Sequence, residues 1–157
     1  MPAPASTVLL ASLKDILVDD LAVDLNAAAT DTFKVALFNN SMDSGSTFVR
    51  ETNPGTYNSG LWVNTNEVSG SGYTAGGKGL TAPTLTAAAA SGAMTWAPGL
   101  GTVEWTATLS GVRCLLHYHV STNRGICVNN LGADFASIAG TFSVEYGANG
   151  IFRVELP

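Results

Sequence analysis

Two spacings in this chain are ones that chemistry uses. Gly72 to Lys78 reads G-x-x-x-x-G-K, in which backbone N–H groups cradle phosphates and the lysine reaches the terminal ones. His117 and His119 form H-x-H, which in a strand puts two imidazoles on one face, as a metal-ligand pair requires. The first lacks its context. Position 79 is Gly where a Mg²⁺-binding hydroxyl belongs, and polar Asn64-Thr65-Asn66-Glu67 precedes it in place of a buried strand. Downstream, Pro83 within a Thr-rich alternation reads as extended chain, not as a helix. The glycines therefore read as a bend between strands, where φ > 0 is easily taken. The second spacing lacks a third ligand. If Ser121 to Arg124 is a hairpin loop, Cys127 falls across from Tyr118 on the opposite face. Only a one-residue change of loop length brings it beside His119. The two histidines read as partly exposed residues on a sheet surface.

The two cysteines follow from the same hairpin. With Val120 opposite Gly125, Cys114 sits about four residues beyond the partner of Cys127, roughly 13 Å away and past the reach of a disulfide. Two free, buried thiols are expected. No Ser is flanked as G-x-S-x-G. Asn39 to Gly45 has oxygen-bearing side chains at alternate positions but lacks the acids of a calcium loop, and reads as a polar turn. The expectation is a non-enzymatic protein with no catalytic residue, no cofactor and no metal.

Those residues must be positioned by β-structure. At 157 residues the chain suits one domain able to bury a sizeable core. Charged residues make up 12%, far below the usual quarter, and the mean hydropathy is +0.23. So little solvating charge points to surface buried against copies of the chain or a larger assembly, with a well-packed monomer as the alternative. A net charge of −5 with seven scattered Lys and Arg argues against a nucleic-acid partner. No apolar stretch approaches the roughly 18 residues needed to span a bilayer, and Val8 to Leu13 is short for a signal-peptide core and lacks a preceding Lys or Arg.

Residues 1–29 are expected to form an arm and a helix capped by Ser6 or Thr7, with Leu9, Leu13, Ile16 and Leu17 in one stripe and an end near Asp19. Whether this segment reaches a partner or packs on its own sheet stays open. Residues 30–157 read as a single β domain. Phe33 to Asn39, apolar on both faces apart from Lys34, suggests a central strand. Val103 to Leu109 and Val112 to Val120 read as neighbouring strands joined at Ser110-Gly111. At the end, a three-residue Ala148-Asn149-Gly150 loop would pair Tyr146 with Phe152, Val144 with Val154 and Phe142 with Leu156, whereas a two-residue turn mixes the faces. The fold class is mainly β: an antiparallel β-sandwich or open barrel of about seven to nine strands with one N-terminal helix.

The stretch Asn66-Glu67-Val68-Ser69-Gly70-Ser71-Gly72-Tyr73-Thr74-Ala75-Gly76-Gly77 resembles a signature of small virion structural proteins of tailed bacteriophages. Phe33-Lys34-Val35-Ala36-Leu37-Phe38, Met94-Thr95-Trp96, the Leu131 to Asp134 "G-x-D" turn and Gly140 to Glu145 resemble that family's other segments, in the same order. The likeness spans roughly residues 30–156 and excludes residues 1–29 and the insert around Asp43 to Gly60. It implies a virion protein made in the host cytoplasm. The leading expectation is a head decoration (cement) protein bound between capsomers, a homo-oligomer, by analogy a trimer, with the major capsid protein or other virion proteins as partners. A tail, collar or fibre-associated protein is the alternative. A host-surface glycan-binding β domain, with Trp62, Tyr57 and Trp96 as stacking faces, is another. Candidate partner contacts are Leu9 and Leu13 of the helix, Phe48, Tyr57, Leu61 and Trp62 of the long loop, and Tyr73 of the bend. Phe48, Tyr57 and Trp62 have the alternative of folding back as a small core.

Overall fold

The computed structural model describes residues 6–18, 20–26, 31–41, 55–88 and 92–155. Phe48 and the loop around it lie outside them, as does most of the calcium-like stretch; within it Asn39 Oδ1 accepts from the Ser41 N–H at 2.8 Å, a local turn. The elements are β1 (Thr7–Val8), α1 (Leu10–Leu17), β2 (Phe33–Phe38), a 3₁₀ turn (Gly60–Trp62), β3 (Lys78–Gly79), β4 (Thr84–Ala88), β5 (Ala93–Ala97), β6 (Thr102–His119), β7 (Gly125–Glu145) and β8 (Phe152–Glu155). They form two antiparallel sheets, β1-β7-β6-β2-β3 and β4-β5-β8. The mainly β class with one helix near the N-terminus is what the alternation predicts.

β2 is central, paired with β6 on one side and β3 on the other. That is why its residues are buried on both faces apart from Lys34. Phe33, Val35 and Leu37 enter a core shared with Trp105, Phe142 and Val144 of the same sheet and Trp96 of the smaller sheet. Ala36 and Phe38 enter a second core on the other face, with Leu9, Trp62, Cys114, Leu116, Tyr118 and Val128. Burying Phe33 or Phe38 to 1% exposure or less stabilises the fold by roughly 1.5–3 kcal/mol each.

Four expectations fail, each for a local reason. The helix starts at Leu10 without a side-chain cap, because Thr7 and Val8 pair with Val128 and Cys127 as a strand. Within it Leu17 is 76% exposed, and the buried side chain of the helix proper is Ser12. Ser110-Gly111 is no turn: Val103 to His119 runs as one strand against β7, with register shifts at Ala107/Leu109, Leu109/Val112 and Val112/Cys114 and Gly111 at φ +65°. Glycine marks a bulge and a turn by the same freedom. Gly132 is likewise interior to β7, at φ +78°, and not part of a G-x-D turn. Finally, β8 does not pair with the end of β7. Val144 faces Val103 and Phe142 faces Trp105, while Phe152 faces Trp96 and Val154 faces Met94 in the other sheet. Gly150 is left-handed, φ +62°, but the turn carries the chain from one sheet to the other.

Candidate interaction surface

The Gly-rich bend is built around a buried acid. Glu67, 5% exposed, accepts hydrogen bonds from Tyr57 Oη at 2.8 Å, Tyr73 Oη at 2.6 Å and the Gly76 N–H at 2.8 Å. Tyr118 Oη donates to the Gly76 carbonyl at 2.9 Å, and its ring stacks on Tyr57 with centroids 4.6 Å apart. Tyr73 Oη also accepts from the Leu37 N–H, which ties the bend to β2. Burial, then the hydrogen bond to Glu67, pushes the Tyr57 and Tyr73 hydroxyls far above the usual phenol range; burial and the Glu67 charge push Tyr118 up to about 12. All three stay protonated donors.

The glycines bring this knot against the sheet. A Cβ on Gly77, at φ +71°, would stand 1.9 Å from the Val35 carbonyl oxygen, and one on Gly72, at φ +87°, 2.2 Å from that of Thr106. The Gly76 N–H that a phosphate loop would offer is committed to Glu67, and Lys78 Nζ is bonded to the Glu104 carbonyl. The motif is a folding element.

The histidines are buried, at 0% for His117 and 2% for His119, and not on a sheet surface. The cause is that both faces of the sheet are covered: His117 and His119 lie across from Val35 and Phe33, which enter the first core, while Tyr118 enters the second. A shift between His117 and Tyr118 sets Tyr118 opposite Gly125 and Cys127 opposite His117, not opposite Tyr118. His117 Nε2 meets Tyr146 Oη at 2.8 Å. Burial drives its pKa down to about 3, so it is neutral. His119 Nδ1 meets Thr122 Oγ1 at 2.9 Å, and Nε2 lies 3.3 Å from Asp31 Oδ1. Among the described residues no three His, Cys, Asp or Glu side chains converge on a metal position. Cys114 and Cys127 are free and buried, with burial pushing each thiol up to about 12. They enter different cores, on opposite faces of the sheet.

Of the partner-contact candidates, Leu9 at 0% and Trp62 at 1% exposure are core residues with no surface to offer. Trp62 packs edge-on against Phe38 at 5.3 Å, and Tyr57 and Leu61 pack against the same core, so the fold-back alternative describes Tyr57 and Trp62, and Leu61 joins them. Tyr73 is half-buried in the Glu67 knot, and Leu13 is half-buried on the helix. Described residues 6–18 lie on their own sheet: Leu9 N–H donates to the Ile126 carbonyl, and Asp15 pairs with Arg124.

The exposed apolar surface lies elsewhere. From Gly132 to Thr141, β7 is exposed or half-buried throughout, with Phe135 at 46% and Ile138 at 88%. Its other edge is paired with β1 at Cys127 and Val128 and is hydrogen-bonded by Leu9 at Ile126 and by Ser6 at Asn130, all N-terminal to this stretch. The sequence carried a signal here, an apolar run whose only charge is Asp134, but reading Gly132 as a turn hid it. Among the described residues no helix is long and apolar enough to cross a membrane. Comparison of the chain with protein-family models, curated proteins and solved structures returns no match.

Proposed function

We propose that this chain is a non-enzymatic structural protein of a tailed-phage virion, and within the virion a head decoration protein that binds between capsomers of the major capsid protein. One observation carries the reading: the central motif by which the chain resembles that family, residues 66–77, is spent on the buried Glu67 network and on close strand contacts, not held ready for a ligand. Support also comes from the low charge and from the apolar β7 surface, which suit a protein stabilised by neighbours. The glycan-binding reading loses two of its three stacking faces, since Trp62 and Trp96 are buried at 1% and 0%, and the third, Tyr57, is half-buried with its ring stacked on Tyr118. Quantitative mass spectrometry of purified particles tests the proposal: hundreds of copies support the head, a few to a few dozen support the tail, collar or fibre alternative, and absence from particles overturns both.

A further inference from the structure

Two strands of the five-stranded sheet, β3 and the start of β6, flank a cleft of about 480 Å³ lined by Lys78, Gly79, Thr81, Leu100, Thr102 and Glu104. Register shows which backbone groups face it, because hydrogen-bonded and non-hydrogen-bonded residues alternate along an antiparallel pair. Leu80 N–H donates to the Phe33 carbonyl, so Gly79, across from Lys34, turns its N–H and C=O away from β2. Tyr146 N–H donates to the Gly101 carbonyl, so Thr102, Glu104 and Thr106 turn theirs away from β7. The chain covers part of that row itself. Thr108 N–H donates to the Ser71 carbonyl, and Gly72 lies against the Thr106 carbonyl. At Glu104 the cover is a single side chain, Lys78 Nζ donating to the carbonyl at 2.5 Å, and at Thr102 there is none among the described residues. The cover supplied by the Gly-rich bend ends where the cleft begins.

We propose that this cleft takes an extended segment of a partner protein as an added strand, between Gly79 of β3 and Thr102 to Glu104 of β6, with an acidic side chain of that segment on Lys78. The width suits one strand: neighbouring strands lie about 4.8 Å apart, so a missing one leaves about 9.6 Å. A lysine stem and one hydrogen bond bridge a gap of that order, as Lys78 does. The glycines point the same way. Gly79 and Gly101 have ordinary φ, and an added Cβ would meet nothing within 4 Å on the first and only an ordinary contact at 3.7 Å on the second. Neither turn chemistry nor packing within the chain asks for them, whereas glycine beside a strand edge lets another backbone approach. Charge then selects the segment. A strand pairing with β6 takes the Glu104 carbonyl from Lys78, whose ammonium needs a new acceptor, and a carboxylate is the strongest. Among the described residues no carboxylate lies within ion-pair distance of Lys78, and that of Glu104 accepts from Ser143 Oγ at 3.5 Å. Main-chain hydrogen bonds supply the affinity and Lys78 the selectivity. The inference goes beyond the virion reading and does not rest on it.

Amide-resolved NMR on the purified chain tests it. The probe is an end-blocked pentapeptide of threonine and valine around a central glutamate, compared with peptides whose central residue is glutamine or proline. In the free protein the amides of Gly79, Thr102 and Glu104 should exchange quickly with solvent, while that of Val103, turned to β7, is protected. The glutamate peptide should shift those three amides and slow their exchange. The glutamine peptide should bind about tenfold more weakly, and the proline peptide, lacking a main-chain donor as well, not at all. Lys78→Ala, at an exposed position, should leave the fold intact and abolish the preference for glutamate over glutamine. Amides already protected in the free chain overturn the inference, as does a glutamate peptide that leaves all three unmoved at millimolar concentration or binds no better than the glutamine one. Protection that grows with protein concentration gives the cleft to a second copy and overturns it equally. Each of these results leaves the virion reading intact, because particle copy number decides that separately.

Discussion

Acid should unfold this protein through one side chain. His117 is fully buried and neutral, and its folded pKa of about 3 compares with 6.5 for the free group. Below pH 6.5 the unfolded chain binds a proton at this position that the folded chain refuses, so stability falls as pH falls and keeps falling until about pH 3. Each pH unit in that window is worth about 1.4 kcal/mol. From pH 6.5, where the unfolded group is half protonated, to 4.5 the loss is therefore about 2.3 kcal/mol, a large share of the roughly 5–15 kcal/mol that holds most domains together. The assay is urea unfolding at pH 7.5, 6.5, 5.5 and 4.5, run on the wild type and on His117→Gln. Glutamine's amide keeps a polar atom near Tyr146 Oη and cannot titrate. The two proteins differ only at this side chain, so the difference between their pH slopes belongs to His117. The variant should start lower at pH 7.5 and lose less on acidification. Parallel slopes would refute the claim that burial keeps this imidazole neutral.

Three further outcomes are expected. Glu67→Gln removes the charged acceptor of Tyr57, Tyr73 and the Gly76 N–H, and should cost about 2 to 3 kcal/mol in urea unfolding; a change near zero would mean that the three donors are satisfied elsewhere. Gly77→Ala forces a Cβ to within 1.9 Å of a β2 carbonyl and should cost more than about 2 kcal/mol. By comparison Gly60→Ala, at φ +59° in open space, should cost about 1 kcal/mol, so equal melting points for the two variants would contradict the close-packing role. With both thiols buried and pushed up to about 12, a thiol reagent at pH 8 should label neither cysteine in the native protein and both after denaturation; prompt native labelling would sink that.

What was legible in the chain follows from how local each signal is. The alternation of Val103, Trp105, Ala107 and Leu109 and the two-sided apolar run of Phe33 to Phe38 named strands correctly, since period two is a property of the strand itself. Partners are not. Val144 and Val154 satisfy a hairpin as well as they satisfy two separate sheets, so the apolar matching that favoured pairing them held no information about which sheet each joined. Gly111 and Gly132 showed where the backbone needs positive φ but not whether the chain then reverses or merely bulges. The histidines fell on the face opposite Tyr118, as period two requires, but that face is covered by a core of its own, which strand periodicity does not reveal. Glu67 was quoted within a motif, but that its carboxylate would gather Tyr57 from ten residues away depended on a loop whose path only the folded chain defines.

The turn between His119 and Gly125 has a consequence for how the protein reaches this state. It closes the two longest strands by a contact between chain neighbours, whereas β1 and β2 must return from far upstream to flank them. Early structure should therefore grow from this turn, with the upstream strands docking late, since loop closure penalises distant pairing first. Substitutions at Val120 to Arg124 should then slow refolding, while those in β1 and β8 should mainly hasten unfolding.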